Sequence, residues 1–329
     1  MAAPMDEQMG CAAILVTHKR PQILQRTLAS FAACRLPEGL VEIVVVENGD
    51  PACGSRELVE QMQTAIPISH YFVPDKRKSV AMNFALRQVR SRFLCLFDDD
   101  IRLERDCLLA YAAAARRYDP GHFFGGPHET EGGNPPPEWM RRHLPVSAFP
   151  WGYGGEERLL EPRREQTMFM GFNWAAFKDD LLAAGGFPEF PKAVPSSGSG
   201  DETLTQRRLM ARGAKPVYVP AAKTWHYVPD QDCSYAFAVS RARFAGRSIC
   251  VMEGLEGEMP ASALPPLWLL RRLAELYVKQ RLAHLRRLPL EQLLMADRDL
   301  AYVSGMLEGR RILRRAAPEL AGTAQPSPT

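Results

Sequence analysis

Residues 93–101 read FLCLFDDDI, so a run of five apolar residues ends directly at three aspartates, Asp98, Asp99 and Asp100. A continuous apolar run is typical of a strand that is covered on both faces in a parallel sheet. Three adjacent carboxylates repel one another, and they need cations or hydrogen-bond donors to stay together. We therefore interpret this stretch as a buried strand that delivers a cluster of carboxylates to a binding site.

Strands and helices alternate in the chain before this stretch. The apolar patterns predict strands and helices in turn at the following residues: 12–16, 21–34, 40–46, 56–65, 69–74, 79–90 and 92–97. This alternation predicts an α/β fold with a doubly wound, mostly parallel central sheet flanked by helices.

Polar residues follow three of the predicted strands, at 17–20, 47–50 and 98–100. The carboxyl ends of parallel strands meet at one edge of a sheet, so we expect these groups to converge on one crevice. Asp98 and Asp100 point to the same side of an extended segment. Mg²⁺ and Mn²⁺ prefer such oxygen ligands and complete their coordination with substrate phosphates. The pattern predicts an Asp-x-Asp site for a metal and a nucleotide.

The second half of the chain is less regular. Residues 123–164 read as loop-rich, a helix then ends at Gly185–Gly186, and another runs from near Thr203 to Gly213. The last eighty or so residues are mainly helical, with a tail at 319–329 that is predicted to be disordered.

Composition excludes several classes of protein. The net charge is +3 and no long apolar run suggests a membrane span, so we expect neither nucleic-acid binding nor a transmembrane helix. Seven cysteines without a C-x-x-C pair predict reduced thiols and a cytoplasmic location. The sequence does not indicate an oligomeric state.

Seven segments resemble, in order, the family 2 glycosyltransferases, which are enzymes of the GT-A fold. The resemblance covers roughly residues 12–228 and is carried by these segments: ILVTHKRP, IVVVENGD, KSVAMNFALRQV, FLCLFDDDI, GFNWAAFKDDLLAAGGFPE, GDETLTQRRLMARGAKPVYVP and TWHYV. It implies a catalytic GT-A domain at residues 1–230, followed by a helical extension at 231–318.

The resemblance also implies a reaction. A sugar would pass with inversion from a nucleotide-diphosphate sugar, with a UDP-sugar favoured, to a hydroxyl of a glycan, a lipid-linked saccharide or a small metabolite. Mn²⁺ or Mg²⁺ would be held by Asp98, Asp100 and His226. Glu202 would be the general base, although Asp201 stays open as the alternative because it is also suited to cap the following helix.

The resemblance, together with the strand-end pattern, assigns donor binding to a larger set of residues. They are Thr17, Arg20, Glu47, Asp50, Lys76, Arg77, Asn83, Asp98, Asp99, Asn173 and Trp174. The basic run at 76–78 precedes a predicted helix, whose N-terminus favours a diphosphate. Asn173 and Trp174 would face the sugar or the acceptor, unless Trp174 belongs to the core. Trp139 and Trp151 would stack on sugars or anchor their own loop.

Two other functions stay open on the sequence. A non-catalytic carbohydrate-binding protein could retain the fold, and it would show no Mn²⁺-dependent donor hydrolysis. A sugar nucleotidylyltransferase shares this type of sheet, but its first turn is glycine-rich, and VTHKRPQ contains no glycine.

Residues 266–288 form a basic amphipathic pattern, with six Lys or Arg between positions 271 and 287 and one acid, Glu275. Such a helix fits peripheral contact with the anionic inner face of a membrane, as in polysaccharide biosynthesis on lipid-linked acceptors. It also fits a helix that packs on the catalytic domain with its basic face in water.

Overall fold

The computed structural model describes residues 10–50, 54–62, 66–161, 165, 168–190, 200–258 and 264–323. The chain forms two compact units. The first contains Met1–Glu131, Pro150–Glu189 and Asp201–Tyr227, and the second contains Gly132–Phe149, Phe190–Gly200 and Val228–Thr329. The sequence did not predict that Gly132–Phe149 and Phe190–Gly200 would belong to the same unit as the C-terminal helices.

The first unit is built on an eight-stranded sheet with the order β3-β2-β1-β4-β9-β6-β10-β8. Its strands are β1 (Cys11–Thr17), β2 (Leu40–Asn48), β3 (Ile68–Val73), β4 (Phe93–Asp98), β6 (His122–Gly125), β8 (Arg158–Leu159), β9 (Asn173–Phe177) and β10 (Lys215–Tyr218). Strands β3, β2, β1 and β4 run parallel, and β9 enters antiparallel between β4 and β6. The mostly parallel sheet was predicted correctly.

A second sheet of three strands has the order β5 (Ile101–Leu103), β11 (Thr224–Val228) and β7 (His128–Gly132). Strand β5 follows β4 after only two residues and pairs antiparallel with β11. The three aspartates therefore lie where the chain leaves the large sheet and enters the small one.

Helices cover the large sheet of the first unit. They are α1 (Pro21–Ala32), α2 (Ser55–Gln61), α3 (Lys78–Gln88), α4 (Cys107–Arg117), α6 (Lys178–Ala183) and α7 (Asp201–Ala211). Alternate residues of β1 enter two separate apolar cores, with Ala13 and Leu15 in one and Ala12 and Ile14 in the other. The continuous apolar strands are thus explained by burial on both faces.

Two details differ from the sequence-based elements. The segment 123–164 contains β6, β7 and β8, although it was predicted to be loop-rich, because strands of two to five residues are too short to show a period. Helix α2 ends at Gln61, earlier than predicted, and residues 63–65 lie outside the described residues.

The second unit is helical and contains α5 (Glu138–Arg141), α8 (Tyr235–Leu255), α9 (Leu267–Leu285) and α10 (Leu290–Thr323). Helices α8 and α10 touch through backbone: a Cβ added at Gly246 would overlap the carbonyl oxygen of Tyr302, and one at Gly305 would overlap that of Arg243. Only glycine permits this approach.

Helix α10 continues through Pro318 to Thr323. The prediction of a disordered tail is therefore wrong for residues 319–323, and residues 324–329 lie outside the described part of the chain. The six described cysteines are free thiols. None of the described helices combines the length and apolarity needed to cross a bilayer.

Candidate active site

The middle aspartate anchors the cluster. Asp99 is fully buried and accepts a hydrogen bond from the Thr17 hydroxyl at 2.6 Å. The guanidinium of Arg20 pairs with Asp99 and donates to Asp100 at 3.0 Å. The hydroxyl of Thr27 donates to the backbone carbonyl of Asp99 at 2.6 Å. Burial raises the pKa of Asp99 to about 6, against the opposing charge of Arg20. Asp99 therefore holds the turn, while its neighbours face the site.

Lys78 joins two carboxylates that are far apart in the sequence. It is the first residue of α3; its ammonium pairs with Asp98 at the end of β4 and lies 2.5 Å from Oε1 of Glu202 on α7. Burial acts to raise the pKa of Asp98, but the charge of Lys78 outweighs it and the pKa is lowered. The two carboxylates in turn raise the pKa of Lys78 despite its burial. The strand-end carboxylate and the predicted base thus share one cation.

Asp201 and Glu202 open helix α7, and both are buried. A Cβ added at Gly171 would lie 2.7 Å from the carboxyl carbon of Glu202, so the glycine makes room for this side chain. Burial, together with the charge of Glu202, raises the pKa of Asp201 to about 7. Asp201 accepts a hydrogen bond from the backbone amide of Ser79, whereas Glu202 contacts Lys78. The neighbouring acids therefore have different surroundings.

His226 lies beside the aspartates, on β11. Its ring stacks on Phe172 with the centroids 4.3 Å apart, and its Nε2 lies 3.8 Å from Oδ1 of Asp100. That buried carboxylate oxygen accepts no hydrogen bond from any described residue. Two carboxylates, an imidazole and an unsatisfied oxygen suit Mg²⁺ or Mn²⁺.

The side chains of Asp98, Asp100 and His226 are not close enough together to form the coordination sphere of a metal ion. Within the described residues, no group of three His, Cys, Asp or Glu is close enough to hold an ion. Lys78 instead neutralises Asp98, and Arg20 neutralises Asp100. The donor set fits a divalent ion, but these cations would have to release the carboxylates first.

The predicted nucleotide side lies at the ends of β2 and β3. Glu47 is buried and its Oε2 lies 3.2 Å from Nε2 of His70. Asp50 is half-exposed and pairs with Lys19 at 2.5 Å and with Lys76 at 3.7 Å. These two lysines lower the pKa of Asp50. A half-exposed acid beside two exposed lysines can contact a ligand, whereas Glu47 is buried and paired with His70.

Arg77 is engaged by its own loop. Its guanidinium donates to both carboxylate oxygens of Asp75, at 2.9 and 2.6 Å, and its backbone amide donates to the same side chain at 2.9 Å. In this arrangement Arg77 shapes the start of α3, and Lys78 is the cation of the run 76–78 that reaches the carboxylates.

Three of the predicted donor-binding residues have structural roles here. Trp174 is fully buried in the core against Phe187, so its assignment to the sugar is wrong. The amide of Asn173 is used by the Tyr111 hydroxyl and by two backbone carbonyls. The side-chain amide of Asn83 donates a hydrogen bond to the backbone carbonyl of Phe187 and accepts one from its backbone amide. These residues were predicted to contact the donor because they lie next to a motif in the sequence, but their side chains pack in the core or hydrogen-bond to other parts of the fold.

The two tryptophans of the irregular segment anchor their surroundings. The backbone groups of Trp151 and His128 exchange two hydrogen bonds, and the two rings stack with their centroids 6.2 Å apart. Trp139 packs beside the apolar cluster of the second unit that contains Met140 and Leu144. Both contacts support the anchoring interpretation.

Thr27 and the central role of Lys78 were missed by sequence reasoning. Thr27 gave no signal, since a threonine inside an amphipathic helix has no distinguishing pattern. Lys78 stood in a basic run beside a helix start, but its neighbours Lys76 and Arg77 were preferred to it. Only the path of the chain shows which of three adjacent cations points inward.

Comparisons with known proteins identify the family and the fold of the chain. The family model described as Glycosyl transferase family 2 matches residues 12–184. No curated protein sequence matches the chain. Among solved structures, the mannosyltransferase PcManGT from Pyrobaculum calidifontis, in complex with GDP-Man and Mn²⁺, is similar with a TM-score of 0.52 at 17% identity, covering 96% of this chain and 79% of that one.

Two further solved structures are similar at comparable distances. TarS 1-349 from S. aureus has a TM-score of 0.51 at 14% identity and covers 94% of this chain and 92% of that one. GalNAc-T7 with UDP, GalNAc and Mn²⁺ has a TM-score of 0.51 at 13% identity, covering 78% of this chain and 52% of that one. With over half of its length matched, the chain belongs to glycosyl transferase family 2 and has the GT-A fold.

Proposed function

We propose that this glycosyltransferase transfers a sugar with inversion from a nucleotide-diphosphate sugar to an acceptor hydroxyl, in a reaction that depends on a divalent metal. The observation that carries the proposal is the contact of Lys78 with both Asp98 and Glu202. It brings the carboxylate at the end of β4 close to a second carboxylate on α7, as a reaction requires in which a metal assists the departure of the donor's diphosphate and a base deprotonates the acceptor.

The donor side is formed by the strand-end residues. Asp98, Asp100 and His226 would hold Mn²⁺ or Mg²⁺, which supplies positive charge to the leaving diphosphate. Similar structures contain GDP-Man with Mn²⁺, or UDP with Mn²⁺. Arg20 and Lys78 are the cations already beside these carboxylates. With a metal bound by the carboxylates, both cations would be available to pair with the diphosphate.

The acceptor side is formed by Glu202. A general base must reach the proton that it removes. The carboxylate of Glu202 contacts Lys78, the same residue that pairs with Asp98. Asp201 is held instead by the amide of Ser79 at the start of the neighbouring helix. One base without an enzyme nucleophile gives inversion, because the acceptor oxygen attacks the anomeric carbon directly as the diphosphate departs from the opposite face.

A thermal-shift screen tests the donor, with UDP-sugars first and GDP-mannose next, each with and without Mn²⁺. A bound donor stabilises the fold by mass action, so the true donor raises Tm and Mn²⁺ strengthens the effect. Hydrolysis of that donor in the absence of an acceptor then tests the chemistry. Donor binding without any Mn²⁺-dependent turnover contradicts the proposal and identifies a carbohydrate-binding protein instead.

A further inference from the structure

A cavity of about 730 Å³ lies in the second unit, among helices α8, α9 and α10 and the segment at 143–145. This volume is in the range that small-molecule sites occupy. Its walls contain three arginines, Arg241, Arg272 and Arg298, each from a different helix. No residue of the carboxylate site of the first unit lines it, so it needs a separate explanation.

The cavity carries an excess of positive charge. Its wall contains a single acid, Asp299, against the three arginines. Asp299 is half-exposed, and its Oδ2 lies 3.8 Å from Nζ of Lys279. Arg272 lies 3.5 Å from Glu275 at the surface. The interior of the cavity therefore attracts anions.

Arg298 is the least satisfied of the three. Its NH1 donates to Nδ1 of His143 at 2.9 Å, which makes that histidine nitrogen an acceptor. Its Nε is buried without a hydrogen-bond partner among the described residues. Burial lowers the pKa of the guanidinium of Arg298, although the charge of Asp299 opposes this shift. Since arginine stays charged in proteins, such burial is costly unless an anion completes the site.

Apart from His143 and Tyr302, the rest of the wall is apolar, and it lies beside an exposed apolar stretch. Leu276, Val303 and Met306 line the interior, and Trp268 lies at the start of α9 with 58% of its surface exposed. Its neighbour Leu267 is 81% exposed. A ligand with an acidic head and an apolar body matches both parts of this wall.

We infer that this cavity binds a phosphate group carried by an amphiphile, with the phosphate between the arginines and the apolar body along Trp268 and Leu276. Arginine presents its donors in a planar fork that fits phosphate oxygens, and hydrogen bonds to charged groups are the stronger kind. The inference is independent of the transferase reaction proposed above, because it concerns binding in the second unit only.

Calorimetric titration of the full chain tests the inference with three probes: dihexanoyl phosphatidic acid below its micellar concentration, dihexanoyl phosphatidylcholine, and inorganic phosphate. We expect the phosphatidic acid to bind and the other two to bind at least about tenfold more weakly. Arg272→Gln and Arg298→Gln should each weaken binding of phosphatidic acid by about tenfold or more, as loss of one charged hydrogen bond predicts.

Arg271→Gln is the matched control. Arg271 lies on the same helix and pairs with the same Glu275, at 3.1 Å, but does not line the cavity, so binding should stay within about twofold. Arg272 is exposed, so its variant should fold even if Arg298→Gln does not. Three results overturn the inference: no binding of phosphatidic acid, equal binding of phosphatidylcholine or inorganic phosphate, or equal losses for Arg271→Gln and Arg272→Gln.

Discussion

Nζ of Lys78 lies 2.5 Å from Oε1 of Glu202, although 124 positions separate the two residues in the chain. The same ammonium pairs with Asp98. Under the proposed function, a metal would compete with Lys78 for Asp98, and a diphosphate would compete with both carboxylates for Lys78, so donor binding would weaken the contact between Lys78 and Glu202.

Replacing Lys78 should damage both stability and activity. Lys78→Met leaves two largely buried carboxylates without their cation, which costs about 3–5 kcal/mol for a broken buried pair. Urea unfolding measures this loss, and donor hydrolysis should fall with it. Lys76→Met is the control, because Lys76 is mostly exposed and lies 3.7 Å from Asp50. A stability loss as large in that variant would show that Lys78 has no special role.

Glu202→Gln should lower kcat by about 10²–10⁴-fold and leave donor affinity intact, since a general base contributes that much to the chemical step. Titration of the donor and steady-state rates separate binding from turnover. Asp201→Asn is the matched variant one residue away. If Asp201→Asn causes the loss of kcat and Glu202→Gln does not, the base has been assigned to the wrong carboxylate.

Asp100→Asn should remove the response to Mn²⁺. It deletes the charge of the carboxylate whose buried Oδ1 accepts no hydrogen bond from a described residue. We expect the Mn²⁺-dependent rise in Tm with the donor to disappear, and turnover at limiting Mn²⁺ to disappear with it. Asp106→Asn serves as control, because Asp106 pairs with the exposed Arg35 at 2.5 Å and is not part of the proposed site. An unchanged Mn²⁺ response in Asp100→Asn would exclude this ligand.

The stability of the chain should respond to Asp201 between about pH 4 and pH 7. Burial raises its pKa in the fold from 3.8 to about 7. The folded state therefore holds a proton that the unfolded state has lost, and the free energy of unfolding falls as pH rises through this window. Asp201→Asn should thus gain stability relative to the parent chain from pH 4 to pH 8.

Urea unfolding of both chains at pH 4 and pH 8 checks this. Asp50→Asn provides a control of opposite sign, because Lys19 and Lys76 lower the pKa of Asp50. The stabilisation by Asp50 is present above its unfolded pKa and is lost on acidification. If the difference between parent and Asp201→Asn does not vary with pH, the carboxyl of Asp201 is not shifted upward.

Helix α9 should bind vesicles that contain anionic lipid at low salt. Four of the six basic residues between 271 and 287 lie in α9 and two follow its end, and the helix exposes Leu267, Trp268, Val278 and Leu285. Each Lys or Arg close to such a bilayer adds about 1 kcal/mol, and screening by salt weakens this attraction. Co-sedimentation at low and high salt measures it. A chain that stays in the supernatant at low salt has no membrane-binding helix here.

The sequence by itself determined the sheet and the chemical character of its edge. A continuous apolar strand such as β4 indicates burial on both faces whatever packs against it. The three aspartates at the end of β4 predict a site for cations at that edge of the sheet. Helix α1 could also be predicted from the sequence, because Leu24, Leu28 and Phe31 recur at helical spacing and share one buried face. These are local properties, fixed by residue period and by charge density.

Only the tertiary structure decided which polar residues belong to the site. Lys76, Arg77 and Lys78 are equivalent as sequence, but Lys78 alone is bonded to both Asp98 and Glu202. Trp174 lies within a family motif, yet its position in β9 directs its side chain into the core. The direction of a side chain depends on strand register and on the residues that pack against it, and many of these are distant in the sequence, as Leu96 is from Trp174 and Glu202 is from Lys78. Local patterns specify which chemistry is present, while long-range packing specifies where it acts.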